Sequence, residues 1–259
     1  MFDRSAIKYL IKDNKKSVSI FYLVIAIVLI CIFALKVFLQ FEVGISASDD
    51  FKGGASGLEL ASVIFLYVAG LCSFRQPFCM LLQNGYSRKA IWANAGITSV
   101  ILAAFMATVD SVVGLVATVA FSGQSYVEYA TLLDLIYPAY FTDMAAPLKL
   151  LLSIVILTMA YLAVFSFGYF ISVMYYRMSK AVKIFVSISV PVLLFWIFPI
   201  VDVLLLGGRI TITVMDVFSF LAGRSGGENP LIVMASSTVA ALIFTVLGYL
   251  LSRKAVLKD

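Results

Sequence analysis

Six stretches of this chain, each about the length that crosses a bilayer and nearly free of charge, limit its possible folds more than any other feature. They lie at about 18–41, 58–74, 90–121, 148–174, 184–206 and 230–251. In hydrocarbon every backbone N–H and C=O must be satisfied within the segment, so runs of this kind form helices. The composition agrees: 63% of residues are hydrophobic, 13% are charged and the mean hydropathy is +1.06, against roughly 45–50% apolar and 25% charged in soluble domains. The sequence therefore predicts an all-α membrane protein. Its 259 residues form one transmembrane domain, with no room for a separate catalytic domain.

The basic residues orient the spans. Arg4, Lys8, Lys12, Lys15 and Lys16, then Arg75, Arg88 and Lys89, then Arg177, Lys180 and Lys183, then Arg253, Lys254 and Lys258 fall on one side. Only Lys36, Lys52, Lys149, Arg209 and Arg224 fall on the other. The positive-inside bias predicts both termini in the cytoplasm of a cell-membrane protein, and it accounts for the net charge of +5 without a nucleic-acid partner. Residues 1–16 place Phe2, Ala6, Ile7, Leu10 and Ile11 on one helical face and most lysines on the other, so a separate interfacial helix is expected there. No cleavable leader is expected, because the apolar run after it is long enough to span. A row of small residues, Gly96, Ser99, Ala103, Ala107, Ser111, Gly114 and Thr118, marks the third span as a close-packing helix. Tyr126, Tyr129, Tyr137 and Tyr140 are expected to form a belt at the outer interface. Pro191 and Pro199 should kink the fifth span, and the mixed segment Gly207 to Asn229 is expected to carry a half-inserted external element.

Between the second and third spans lies Phe74 to Trp92, FRQPFCMLLQNGYSRKAIW. Pro77 suits a first helical turn, and Asn84-Gly85 supplies a left-handed stop. That leaves a two-turn helix, Pro77 to Gln83, after which Ser87 can cap the third span. A short amphipathic helix on a cytoplasmic loop, within a segment spanning 75–89, is a lever on which a partner protein can push. Phe78 and Leu82, four residues apart, are its expected apolar anchors, with Leu81 beside them. The alternative is that this face rests on lipid headgroups.

Catalytic chemistry finds little here. The chain has no histidine, which removes the usual general base and the commonest metal ligand. Cys31, Cys72 and Cys79 all fall in or beside spans, and no disulfide is expected. Asp110, about 30 Å along the third span, lies toward the outer leaflet. It is either a pathway residue, or solvated at the outer mouth or bonded to a neighbouring hydroxyl. Asp202 in the fifth span has the same ambiguity. Gly223 to Asn229, GRSGGEN, has no accompanying GxxxxGK[ST] loop and reads as a glycine turn. The shortage of charge in the spans points to an apolar or amphipathic substrate, a helical peptide or a lipid-like molecule.

Taken together, the basic N-terminal helix, six spans with both ends inside and a short helix between spans 2 and 3 resemble the permease of type-2 ABC exporters. The Gly85-Tyr86-Ser87-Arg88-Lys89 turn is similar to the small Gram-positive permeases of that group, and the nearest likeness is to those of phenol-soluble-modulin (cytolytic peptide) exporters. The resemblance covers the whole chain. It implies a homodimer working with two copies of a cytoplasmic ABC ATPase, which would bind ATP and Mg, while this chain holds no cofactor and is not itself an enzyme. It assigns ATPase contact to Gln76, Pro77, Phe78, Met80, Leu81, Leu82, Gln83, Gly85, Tyr86, Ser87 and Arg88. A secondary transporter is the alternative, and it requires ionisable groups near the midplane and broken helices. An intramembrane enzyme lacks any supporting motif.

Overall fold

The protein is described by a computed structural model, which covers residues 4–42, 58–121, 131–141, 144–224 and 228–253. Among the described residues it is all helix, and six helices are long and apolar enough to cross a membrane. The first, α1 (Arg4–Glu42), is one unbroken helix of 39 residues, so the separate interfacial helix is corrected. Neither Gly nor Pro occurs between Arg4 and Glu42, and nothing else interrupts the backbone ladder. At 1.5 Å per residue α1 is about 58 Å long, roughly twice a hydrocarbon core, and its basic turns continue the helix without a break. The amphipathic pattern is still used: Ala6 and Leu10 are buried, whereas Lys8, Lys12 and Lys15 are exposed.

The chain then runs through α2 (Leu58–Cys72), α3 (Arg75–Gln83) and α4 (Arg88–Phe121). Two short helices follow, α5 (Leu132–Ile136) and α6 (Pro138–Phe141), before the long α7 (Ala146–Arg177). The fifth span is α8 (Lys180–Val192), a π-helical turn at Leu193–Ile197 and α9 (Phe198–Leu206). That turn lies between the two prolines expected to disturb the span, and the Phe198 N–H reaches back five residues to the Leu193 carbonyl. Last come α10 (Arg209–Leu221) and α11 (Pro230–Ser252).

Helix α7 is the centre of the bundle and packs against α2, α4 and α11. Its crossing with α2 is a backbone contact. A Cβ on Gly168 would lie 3.2 Å from the Leu71 nitrogen and 3.3 Å from the Gly70 Cα, and a Cβ on Gly70 would meet the Phe165 carbonyl. One turn on, the Ser172 hydroxyl donates to the Leu71 carbonyl at 2.6 Å. The small-residue row of α4 packs inward as expected: Ser99, Ala103, Ala107, Ser111 and Gly114 are buried. Gly168→Ala should therefore lower unfolding stability by about 1–3 kcal/mol, the usual cost of overpacking. Gly96→Ala, where an added Cβ meets nothing within 4 Å, should be neutral or slightly stabilising. Denaturant unfolding of the two variants in detergent compares them directly, and equal losses would rule out the close crossing as the cause.

Helices α8 to α10 behave differently. Among their described side chains Asp202 alone is buried, so this arm packs little against the bundle. The segment expected to carry an external element contains α10, set off from α9 by Gly207 and Gly208 with φ of 61° and 81°.

Candidate functional site

The inward face of α4 carries Ala103, Met106, Ala107 and Asp110 at helical spacing, all buried. Asp110 is 2% exposed, so it is not solvated at an outer mouth. The Tyr22 hydroxyl of α1 donates to its Oδ1 at 2.9 Å, and the Tyr161 hydroxyl of α7 donates to its Oδ2 at 2.6 Å. Ser62 of α2, fully buried, lies beside them. Four helices thus meet on one carboxyl group. Sequence reasoning found the acid and missed both tyrosines, which look like ordinary aromatic residues of apolar spans.

Open space flanks this polar layer on both sides. Toward the end of the bundle where α2 and α7 begin, a cavity of about 340 Å³ is lined by Glu59, Ser111, Leu133 and Leu157 among others. Toward the basic end, one of about 200 Å³ is lined by Asn14, Phe65, Thr98 and Phe165 among others. The registers agree on the order. On α2, Glu59, Ser62 and Phe65 fall in the first cavity, the layer and the second cavity. On α7, Leu157, Tyr161 and Phe165 do the same. Glu59 is 2% exposed and went unassigned in the sequence, although a lone acid opening an apolar run was a usable signal. Among the described residues no three His, Cys, Asp or Glu side chains come together to hold a metal ion.

The lever is a helix of nine residues, Arg75–Gln83. Its end is a Schellman motif: the Tyr86 N–H bonds the Leu81 carbonyl and the Gly85 N–H the Leu82 carbonyl, both at 3.1 Å. Gly85 has φ 80°, as its left-handed role requires. The Ser87 hydroxyl accepts from the Ala90 N–H at 3.2 Å, capping α4. Of the two expected apolar anchors, Phe78 is corrected. Phe78 is 1% exposed; it stacks on Phe74 at 4.7 Å and meets Tyr176 edge-on at 5.9 Å. Pro77 and Leu81 are buried too, and Leu82, Tyr86 and Arg88 are half-buried. The apolar face turns inward because the last turns of α7, with Tyr169 and Tyr176, offer it an aromatic bed. What faces outward is Arg75, Gln76, Met80, Gln83, Gly85 and Ser87. Arg88 also donates to the Arg253 carbonyl at 2.7 Å, joining the start of α4 to the end of α11.

Asp202 proves to be a cap. Its carboxylate accepts the backbone N–H groups of Ile210 at 3.0 Å and Thr211 at 2.8 Å, and the Thr211 hydroxyl at 2.5 Å. Gly208, at the N-cap of α10, has no side chain for that task. The tyrosine belt is corrected in part. Tyr137 is 1% exposed and donates to the Ala222 carbonyl, so it is an internal tie between the α5–α6 junction and the end of α10. Burial raises its phenol pKa, with Arg224 opposing. Tyr140 is half-buried, and Tyr126 and Tyr129 lie outside the described residues. Gly223, with φ 70°, ends α10 and Asn229 caps α11, so the described part of GRSGGEN is a turn.

Comparisons with protein-family models, with curated proteins and with solved structures return no match.

Proposed function

We propose that this chain is the permease of an ATP-driven exporter in the cell membrane, with both termini cytoplasmic, moving an amphipathic peptide or lipid-like molecule. It works as a homodimer with a separate cytoplasmic ABC ATPase, which binds ATP and Mg. The observation that carries the transport reading is the pair of cavities on opposite sides of the Tyr22–Asp110–Tyr161 layer. Such an arrangement suits a closed state of a path that opens by moving helices rather than by side-chain chemistry.

The ATP-driven part rests on α3. It presents Gln76, Met80 and Gln83 outward at the basic end, while Phe78 fixes its inner face to Tyr176 of α7. Tyr161 lies 15 residues earlier on that same helix, about 22 Å away. A push on α3 thus has a rigid route to the polar layer. The arm α8 to α10, with little of its surface covered by the bundle, is the face offered to a second copy. One observation favours a second reading, an ion-coupled transporter without an ATPase: two carboxyl groups, Glu59 and Asp110, are both buried between the helices.

Purification from native membranes in mild detergent separates the two. The expected result is a co-eluting ATPase whose hydrolysis is stimulated by amphipathic helical peptides. A chain that elutes alone, and carries solute into vesicles on a proton or sodium gradient, would replace the first reading with the second.

A further inference from the structure

The larger cavity has a chemistry that passage of a purely apolar body does not need. Glu59 Oε1 accepts the Leu132 N–H at 3.3 Å, but Oε2 is buried with no partner among the described residues. Ser111, which lines the same cavity, has a buried Oγ that is also without a partner among the described residues. Among the described residues that line this cavity the basic one, Lys149, is already held at 2.6 Å by Asp134, so Glu59 has no side-chain cation there and only the N-terminus of α2 beside it. The rest of the wall is four leucines, Leu115, Leu133, Leu150 and Leu157, with the hydroxyl residues Thr131 and Ser153 between them. A buried carboxylate with a vacant acceptor oxygen is costly unless a donor or a cation meets it.

We propose that this cavity binds an organic cation, a primary ammonium that donates to Glu59 Oε2 and Ser111 Oγ while its aliphatic body lies along the leucines. An ammonium brings three donors and no acceptor, which suits two vacant acceptors. A guanidinium would want both carboxylate oxygens, and Oε1 is taken by the backbone. A bare hard cation takes about six oxygens, several of them carboxylate, and among the described residues no three acidic side chains come together to supply them. The volume of about 340 Å³ falls in the range of small-molecule sites, which are mostly apolar with a few placed polar groups. An anionic amphiphile would face Glu59 directly.

The test uses the chain alone, so failure here leaves the ATP-driven reading standing, and a missing ATPase leaves this one standing. The probe is n-octylammonium, titrated calorimetrically into the full chain in phosphatidylcholine nanodiscs, with empty discs subtracted. n-Octanol and octanoate serve as neutral and anionic controls. Saturable binding of the ammonium, with octanol and octanoate at least about tenfold weaker, is expected from a charge-assisted contact. Glu59→Gln keeps the shape and the Leu132 contact and should weaken the ammonium at least about tenfold; Ser111→Ala should weaken it several-fold. Should the Gln variant not fold, the Ala variant and the octanol comparison decide. Heat no greater than that of empty discs, octanol bound as tightly as octylammonium, or folded variants with unchanged affinity would each overturn the proposal.

Discussion

Asp110→Ala is expected to destabilise the folded chain by about 1–3 kcal/mol, measured as a fall in the midpoint of denaturant unfolding in detergent. The carboxyl group receives two tyrosine hydroxyls from two other helices, at 2.9 and 2.6 Å. Each hydroxyl left without an acceptor costs about 1–3 kcal/mol in a protein interior. In a membrane the figure is nearer 0.6–1.7 kcal/mol, because the unfolded state finds other partners. Asp110→Asn keeps one acceptor oxygen, and its amide can donate to the second tyrosine oxygen, so it should lose no more than about half as much. An alanine variant as stable as the asparagine one would show that the two tyrosines find other acceptors and that the layer does not hold the helices together.

The second large effect separates two faces of α3. Phe78→Asp should abolish recovery of folded protein. Removing the ring alone costs about 3–5 kcal/mol, and the carboxylate would then sit at a position 1% exposed, among aromatic rings that offer it no charge partner. Met80→Asp, at a position 40% exposed, should fold and insert normally. If α3 takes the push of an ATPase, this variant should reduce co-purified partner at least about tenfold, since burying such a side chain is worth about 1.5–3 kcal/mol. Full export and full partner binding by Met80→Asp would make α3 a brace between α4 and α7, and the surface between α7 and α8 would be the next place to look. A Phe78→Asp variant as stable as the native chain would show that the aromatic bed does not fix the lever.

The parts legible in advance were those written in local terms. The third span was expected at 90–121 and is Arg88–Phe121; the sixth was expected at 230–251 and is Pro230–Ser252. Ser87, Asn84-Gly85 and Asn229-Pro230 mark these ends because capping and left-handed stops involve only a few neighbouring residues. Residues 4–16 were read as a helix of their own for the same local reason. An amphipathic stripe reads the same whether its apolar side meets lipid or Ala95 and Thr98 of a neighbouring helix, which share a cavity with Leu10.

Sequence alone thus determined the class of fold: apolar runs of bilayer length, with polar punctuation between them, admit only a bundle of spanning helices. It also determined where α3 ends, at Gln83, while the helix begins at Arg75, two residues before the expected Pro77. Only the tertiary structure decided which side chains form the site, because the decisive partners are far apart in the chain. Tyr22, Asp110 and Tyr161 converge from α1, α4 and α7, and the approach of Gly70 to Gly168 sets how closely α2 and α7 pack. The direction of Phe78 was decided in the same way. Helical periodicity says which residues share a face, but whether that face meets water, lipid or Tyr176 depends on a helix about a hundred residues later in the chain.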